Sequence, residues 1–264
     1  MLGGVPELPE VERARALIAE RALGRRIVGV DDSDTYVCRP HAPGEIATAL
    51  VGQTLTEAHR IGKSMWVETD GGPVLGLHLG MAGRILVDGA AEGDPATEPA
   101  NGAPPVWDRF TLDFEDGGKL ILRDKRRLGR AVLDPDLSSL GPDAAEVTRD
   151  DFRARVGAGA VPLKARIMDQ SVIAGVGNLL ADEALWRARL SPLRAAGELS
   201  DEELDLLRRE IRAATRSAIS RGGVHTGEVI PARRRGGVCP RCGTEMSRAT
   251  VGGRTTYWCP AEQD

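Results

Sequence analysis

Apolar and polar positions follow two different periods along the chain. Apolar residues at helical spacing predict a helix over residues 9–23, with Pro9 at its first position and Gly24 at its end. From about residue 26 to residue 133, apolar and polar residues alternate in short runs between glycine-rich breaks. The clearest runs are residues 64–69, 110–114 and 120–123. This alternation predicts an antiparallel β-sandwich or barrel.

Two tracts of the chain lack any periodic spacing of apolar residues. Residues 88–105, rich in Ala, Gly, Pro and acidic residues, predict a mobile surface loop, and the Pro- and Asp-rich residues 134–150 predict a linker. Helical spacing returns at 162–169, 179–189 and 201–220, before a cysteine-rich end. The fold class is therefore α+β. In chain order we expect a helix-led β domain over 1–133, the linker over 134–150, a helical domain over 151–228 and a zinc-type hairpin over 229–264.

The composition is that of a globular protein and argues against a membrane protein. The 264 residues are 41% hydrophobic and 28% charged, and no apolar run approaches the roughly 20 residues that span a bilayer. Residues 1–150 hold 17 Lys and Arg against 25 Asp and Glu, whereas residues 151–264 hold 18 against 14. The basic excess of the second half is compatible with a local nucleic-acid groove. A lone Cys38 and three clustered cysteines indicate a reducing compartment.

The C-terminal segment has the spacing of a zinc ribbon. Cys239 and Cys242 form one C-x-x-C pair, and Cys259 follows after 16 residues, with Glu262 where a fourth ligand is expected. Each such turn brings two ligands to one tetrahedral ion, and zinc also accepts carboxylate oxygen. The spacing predicts a structural Zn²⁺ ion. The alternative is a hairpin that its own packing holds without metal.

Two glycine-rich positions predict phosphate contacts. Gly175 and Gly177 lead to Asn178 at the start of an apolar helix, where free backbone N–H groups and the positive helix end attract phosphate. Arg254 follows two glycines at the predicted hairpin tip, which favours close approach to a phosphate. The alternatives are an ordinary helix cap and a solvated arginine.

Six motifs in a fixed order resemble one family of repair enzymes. The opening Pro6-Glu7-Leu8-Pro9-Glu10-Val11-Glu12 comes first. The other five are Gly62-Lys63, His78 to Gly83, Asp124 to Gly129, Met168-Asp169-Gln170 with Gly175 to Asn178, and Gly253-Arg254-Thr255 before the last cysteine. Together they cover nearly the whole chain. The chain resembles the formamidopyrimidine-DNA glycosylase/endonuclease VIII family of bacterial base-excision repair.

This resemblance implies a fold and an activity. The fold is a β-sandwich, a helix–two-turn–helix domain and a zinc finger, with damaged double-stranded DNA in the cleft. The activity is that of a bifunctional DNA glycosylase and abasic-site lyase acting on oxidised bases. By position, Pro6 resembles the N-terminal nucleophile that forms a Schiff base with the sugar, and Glu7 the adjacent proton-transferring acid. Lys63 resembles the lysine that contacts phosphate and assists elimination.

Further residues follow from the same resemblance. Asn178 and Arg254 match residues that bind phosphates around the kink in the DNA. The resemblance also implies a catalytic role for Arg254. Met81, Arg126 and Leu128 match residues that fill the gap left by the flipped base. We expect a monomer in the bacterial cytoplasm, associated with the nucleoid when it binds DNA.

The sequence departs from the family's pattern at several positions. Val5 precedes Pro6, and a peptide-bonded proline nitrogen is not a nucleophile. Because a valine codon serves as a bacterial start, the native protein is hypothesised to begin there as Met, whose removal exposes Pro6. The alternatives are a non-catalytic protein that binds damaged or abasic DNA, and a generic zinc-ribbon DNA-binding module. Leu128 stands where phenylalanine is common, and the arginine triplet at 233–235 is expected to face phosphate.

Overall fold

The computed structural model describes residues 5–93 and 106–264. The chain divides into two compact units. The first contains Pro6 and the residues from Glu10 to Leu137, and the second contains Glu7–Pro9 and Ser138–Asp264. Among the described residues, no helix is both long enough and apolar enough to cross a membrane.

Within residues 5–93 and 106–137, nine strands form the first unit. They are β1 (Ile27–Asp31), β2 (Leu55–Ile61), β3 (Ser64–Thr69), β4 (Leu75–His78), β5 (Gly83–Val87), β6 (Ala90–Gly93), β7 (Asp108–Phe114), β8 (Lys119–Asp124) and β9 (Arg130–Leu133). One antiparallel sheet has the order β1-β7-β8-β5-β6, and the other has β2-β3-β4-β9. Inward residues of both sheets share one core, which includes Met65, Leu77, Phe110 and Leu122. The sandwich expected from the alternation is confirmed.

Two helices accompany these sheets. The predicted helix over residues 9–23 is α1 (Leu8–Arg21), whose buried Val11, Ala14 and Ile18 belong to the sandwich core. A second helix, α2 (Glu45–Leu50), was not predicted, because it lies within residues 26–133, where the short alternating runs predict strands.

The acidic tract at 88–105 is not wholly a loop. Its residues 90–93 form β6, which pairs with β5 through four residue pairs. Backbone hydrogen bonds to a neighbouring strand make this short Ala- and Gly-rich segment extended, and such pairing leaves no local hydrophobic pattern. Residues 94–105 lie outside the described residues.

The second unit is helical and ends in a hairpin. Its helices are α3 (Arg149–Val156), α4 (Leu163–Met168), α5 (Asn178–Ala188) and α6 (Asp201–Arg221), and its hairpin strands are β10 (Ser247–Val251) and β11 (Arg254–Trp258). Helix α6 begins with a capping box between Ser200 and Glu203. Ala144 and Val147, from the segment expected to be a linker, lie in the helical core. That segment therefore helps to build the second unit.

Candidate functional site

Glu7 caps helix α5 from a distant part of the sequence. Its Oε1 accepts the N–H of Leu179 at 2.8 Å, and its Oε2 accepts those of Leu180 at 3.0 Å and Gly177 at 3.1 Å. The carboxylate is only 2% exposed. A Cβ on Gly177 would lie 2.2 Å from Cδ of Glu7, so only glycine leaves room for this contact. The helix end and three donors stabilise a negative charge on Glu7.

This arrangement corrects the expected phosphate seat. The N–H groups of Gly177, Leu179 and Leu180 are bonded to Glu7, and that of Gly175 donates to Gln170 at 3.0 Å. The expectation of free amide donors there is wrong, because the chain's own carboxylate takes the place of an external anion. Gly177 is the cap residue, and Asn178 is the first residue of α5.

Asn178 is held through its side chain by a buried lysine. The Nζ of Lys164 lies 2.7 Å from Oδ1 of Asn178, 2.9 Å from the Thr256 hydroxyl and 2.7 Å from Oδ1 of Asp182. Lys164 and Asp182 are both fully buried. Burial lowers the pKa of Lys164, and the charge of Asp182 opposes that effect. Since Oδ1 of Asn178 accepts from Lys164, the donors of this side chain are on its amide NH₂ group.

Arg233 belongs to the same network. Its Nε lies 2.7 Å from Oδ2 of Asp182, and its Nη2 donates to the carbonyl of Thr255 at 3.1 Å. The expectation that the arginine triplet faces phosphate is therefore wrong for Arg233, because its guanidinium pairs with the buried carboxylate of Asp182. Arg234 and Arg235 are exposed.

Arg254 begins strand β11 at the tip of the hairpin. It is exposed and pairs across the strands with Val251. The two glycines before it have φ values of +56° and +73°, and a Cβ on Gly252 would lie 3.0 Å from Cβ of Ala165 in α4. The tip therefore contacts α4, the helix that carries Lys164. The structure places Asn178 and Arg254 on elements joined through Lys164.

Lys63 occupies the turn between β2 and β3. Ser64, the next residue, pairs with His78 across the sheet. Burial, and then the positive charge of Lys63, lower the pKa of His78. The Nδ1 of His78 accepts the N–H of Gly80 at 2.9 Å, so the neutral ring carries its proton on Nε2.

Two adjoining turns present the predicted gap-filling residues. The buried carboxylate of Asp124 accepts the N–H groups of Arg126, Leu128 and Gly129 at 2.7–2.8 Å, which fixes the loop 125–128. A Cβ on Gly80 would lie 2.4 Å from the carbonyl carbon of Leu128, so the turn after β4 touches this loop.

The side chains on these turns suit insertion into DNA. Met81 is 42% exposed and Leu128 is 37% exposed, and Arg126 is also exposed. Exposed apolar side chains on rigid turns are able to enter a base stack. The structure therefore brings these three predicted residues to one edge of the sandwich.

Pro6 is buried, and the preceding Val5 is 41% exposed. The proline nitrogen is thus an amide nitrogen in this chain. It gains nucleophilic character only when it is a free amine.

Three cysteines form a metal-ligating cluster. The sulfur atoms of Cys239, Cys242 and Cys259 all lie within 4.8 Å of one another. Burial raises the pKa of Cys239, but the indole N–H of Trp186, at 3.4 Å from its Sγ, and neighbouring backbone N–H groups outweigh burial and lower it. Donors that stabilise a thiolate fit the ligand form that zinc requires.

Glu262 does not join this cluster in the structure. Its Oε2 lies 3.7 Å from Nε of Arg189 and 4.0 Å from Nη1 of Arg241, and it makes no hydrogen bond within the described residues. The role of Glu262 as the fourth ligand stays a prediction.

Sequence reasoning missed the groups that hold the site together. Lys164 and Asp182 were not singled out, and Asp124 was given only as the first residue of a motif, although all three are buried. A signal was present for Lys164 and Asp182, since each is a charged residue on the apolar face of a predicted helix.

The chain matches three known families in order. Residues 5–131 match the formamidopyrimidine-DNA glycosylase N-terminal domain, residues 139–228 match the formamidopyrimidine-DNA glycosylase H2TH domain, and residues 236–261 match a zinc finger found in FPG and IleRS.

Individual proteins are similar over almost the full length. A formamidopyrimidine-DNA glycosylase of Roseiflexus sp. is 35% identical over 97% of this chain and 98% of its own length, and one of Arabidopsis thaliana is 33% identical over 98% and 71%. The Lactococcus lactis formamidopyrimidine-DNA glycosylase non-covalently bound to DNA with an AP site has a TM-score of 0.83 at 26% identity, covering 98% of this chain and 100% of its own. MutM in complex with DNA containing carbocyclic 8-oxo-G gives 0.83 at 27%, with the same coverage.

Proposed function

The chain belongs to the formamidopyrimidine-DNA glycosylase family, and we propose that it excises oxidised bases from double-stranded DNA through a free amine at Pro6. One observation carries the assignment of the catalytic pair. Glu7, the residue next to Pro6, is buried and fixed by three N–H donors at the start of α5. A carboxylate held at this position beside an amine is the pair that base release and ring opening need.

The chemistry balances with these two groups. The Pro6 amine bonds to C1′ while the bond from C1′ to the base breaks, and the base leaves with a proton. The bond between C1′ and O4′ then breaks: O4′ takes a proton from the carboxyl group of Glu7, and the lone pair of the nitrogen forms an iminium ion with C1′. Loss of a C2′ proton expels the 3′ phosphate. Glu7, which three N–H groups hold in place, is the carboxyl group next to the amine that passes the proton.

This chemistry requires Pro6 to be N-terminal. An α-amine has a pKa of roughly 7.7–8.0, so a useful fraction is unprotonated at neutral pH. We propose that a later start or removal of the preceding residues exposes it. If Pro6 remains peptide-bonded, the same fold acts as a non-catalytic protein that binds damaged or abasic DNA.

The contacts of the second unit support a phosphate clamp. Asn178 offers its amide donors, and Arg254 stands exposed on the hairpin tip. Lys164 bonds both to Asn178 and to Thr256, two residues after Arg254. We assign Asn178 and Arg254 to phosphate contacts because a charged arginine and an oriented amide bind phosphate oxygens without reading sequence.

In the first unit, we assign Lys63 to a phosphate contact and to assistance of elimination. Met81 and Leu128 are the wedge that enters the stack, and Arg126 faces the base left without a partner. Their support is the fixed loop below Arg126 and Leu128, which Asp124 holds through three N–H groups. A wedge that needs no reordering loses little entropy when it inserts.

Zinc stabilises the hairpin through Cys239, Cys242 and Cys259, whose sulfur atoms already converge. For the fourth position we propose Glu262, because its buried Oε2 lacks a hydrogen bond within the described residues. The test is a competition titration of Zn²⁺ with a chromophoric chelator, and Co²⁺ spectra of the same variants. We expect Glu262→Cys to tighten binding and Glu262→Ala to weaken it. Equal affinity of Glu262→Ala and wild type would refute the assignment.

For domain organisation we propose a catalytic domain over 1–133, a helical DNA-binding domain over 151–228 and a hairpin over 229–264. The matches over 5–131 and 236–261 fall within the first and third of these ranges, and the match over 139–228 ends with the second range but begins 12 residues before it. The connection over 134–150 is shorter than expected, since Ala144 and Val147 pack into the helical core. We also propose a monomer in the bacterial cytoplasm, where thiols stay reduced and available to zinc.

Base release from a defined duplex tests the proposal. A duplex with one formamidopyrimidine or 8-oxoguanine lesion is incubated with protein beginning at Pro6, and free base is measured chromatographically. We expect release that Glu7→Gln abolishes and that an unmodified duplex does not support. Binding without release by the Pro6 form would favour the non-catalytic function.

A further inference from the structure

An exposed tyrosine in the first unit is surrounded by arginines. Tyr36, between β1 and α2, is 47% exposed. The guanidinium carbons of Arg39, Arg130 and Arg127 lie 4.1, 5.7 and 5.8 Å from the centre of its ring. Among the described residues, three other aromatic rings have an arginine over them, and each of these rings has only one. We name Tyr36, Arg39, Arg127 and Arg130 the Tyr36 patch.

The backbone holds this patch in place. The N–H groups of Tyr36 and Val37 each donate to Oδ1 of Asp34 at 3.1 Å. The same carboxylate accepts Nη2 of Arg127 at 2.7 Å and its Nε at 3.0 Å. The carbonyl of Val37 accepts the N–H of Ala131 in β9, which places Tyr36 beside the start of that strand. The ring and the guanidiniums are thus fixed before any ligand arrives.

The positive charge of the patch is only partly balanced. Asp34 pairs with Arg127 and also lies 3.7 Å from Arg109. Arg39 donates to the carbonyl of Tyr36, and Arg130 donates to the carbonyl of Gly129 at 2.7 Å. Within the described residues, neither Arg39 nor Arg130 has a carboxylate partner among the ion pairs. Carbonyl contacts orient a guanidinium without neutralising it, so these two cations favour an external anion.

The patch continues the loop 125–128 that carries Arg126 and Leu128. Arg127 belongs to both, since it is a residue of that loop and lies against Tyr36. An anion that spans the loop and the patch must therefore be extended and carry several charges. The DNA backbone, with its regularly spaced phosphates, has this chemistry.

We infer that the Tyr36 patch binds backbone phosphates of the DNA strand that lies along the loop 125–128. This inference rests on the proposed function, because it extends the same DNA-binding surface. The ring acts as a platform: cation–π contacts hold Arg39 and Arg130 near each other without a carboxylate. Tyr36 is a positioning residue, whereas the arginines contact phosphate.

The experiment measures how affinity for DNA depends on salt. Protein beginning at Pro6 is titrated with an abasic-site duplex at several salt concentrations. We expect Arg39→Gln and Arg130→Gln each to reduce the slope of log K against log salt by about 0.9, the value for one phosphate contact. Tyr36→Ala, which removes no charge, weakens binding about tenfold because the guanidiniums lose their platform. Tyr36→Phe keeps the ring and restores most of the affinity.

A charge-matched control separates local contact from overall charge. Arg21→Gln removes an exposed arginine at the end of α1 that pairs with Glu20 at 3.5 Å, and we expect it to leave the slope unchanged. If wild type binds and cleaves the duplex but Arg39→Gln and Arg130→Gln keep the wild-type slope, the inference is wrong and the proposed function stands. If wild type binds damaged DNA no better than intact DNA and releases no base, both are wrong.

Discussion

Replacing Lys164 by Met removes the charge at the centre of the second unit's polar network. In the wild type its Nζ lies 2.7 Å from Asp182 and 2.7 Å from Asn178, and both Lys164 and Asp182 are fully buried. Methionine matches the unbranched aliphatic part of the lysine side chain, so the change removes the ammonium with little loss of volume.

The expected loss of stability follows from what remains around Asp182. Removing one partner of a buried ion pair destabilises a protein by about 3–5 kcal/mol, because the other charge stays buried without compensation. Asp182 keeps Arg233 at 2.7 Å and the N–H of Tyr257 at 3.3 Å. We therefore expect a loss near the lower limit, about 3 kcal/mol. We also expect weaker DNA binding, since Asn178 loses the donor that orients its amide.

The assay is amide hydrogen exchange of α5 and β11, which reports the free energy of opening in the second unit. Arg153→Met is the matched control, because Arg153 also joins two elements through pairs with Asp201 and Asp205 at 2.7 Å but lies at the surface. We expect this control to change the protection far less, as solvent screens surface pairs. If Lys164→Met changes protection as little as the control, the buried network does not hold the hairpin to the helices.

Three further predictions concern the other fixed groups. Asp124→Ala leaves three loop N–H groups without their acceptor. It should destabilise the protein by about 3 kcal/mol in thermal unfolding and lower DNA affinity; unchanged affinity would contradict the role of the loop. In NMR titration, the pKa of His78 should lie below its usual 6.5, and Lys63→Met should raise it by removing a nearby positive charge. Because the folded-state pKa is lowered, the contribution of His78 to stability is lost as pH falls below 6.5; a His78 pKa at or above 6.5 would contradict this. Gly177→Ala would place a Cβ 2.2 Å from Glu7, so base release should fall far more than DNA binding, and a parallel loss of both would contradict it.

Long periodic elements were predictable from the sequence, and short paired ones were not. Helix α6 (Asp201–Arg221) has a capping box, an apolar face and a glycine at its end, all of which are local signals. Strand β6 is four residues of Ala, Glu and Gly, and it exists because its backbone pairs with β5. Tertiary hydrogen bonds of this kind leave no pattern in the segment itself.

In the candidate site too, some residues were predictable from the sequence, whereas their contacts were not. Ordered motifs located Pro6 and Glu7, but not the contact of Glu7 with Gly177, which spans 170 positions of the chain. Arg233, within a run of three arginines, was expected to face phosphate, although it lies against the buried Asp182. Charge type is visible in a sequence, whereas the partner that neutralises the charge depends on the fold.

Borohydride trapping on an abasic-site duplex shows directly whether the Pro6 amine attacks the sugar. Two proteins are compared, one beginning at Met1 and one beginning at Pro6, and the covalent adduct is detected by mass. We predict an adduct, located at the Pro6 nitrogen, for the Pro6 form alone. No adduct from either protein, with binding to the duplex intact, would contradict catalysis through Pro6 and leave a protein that recognises damaged DNA without cutting it.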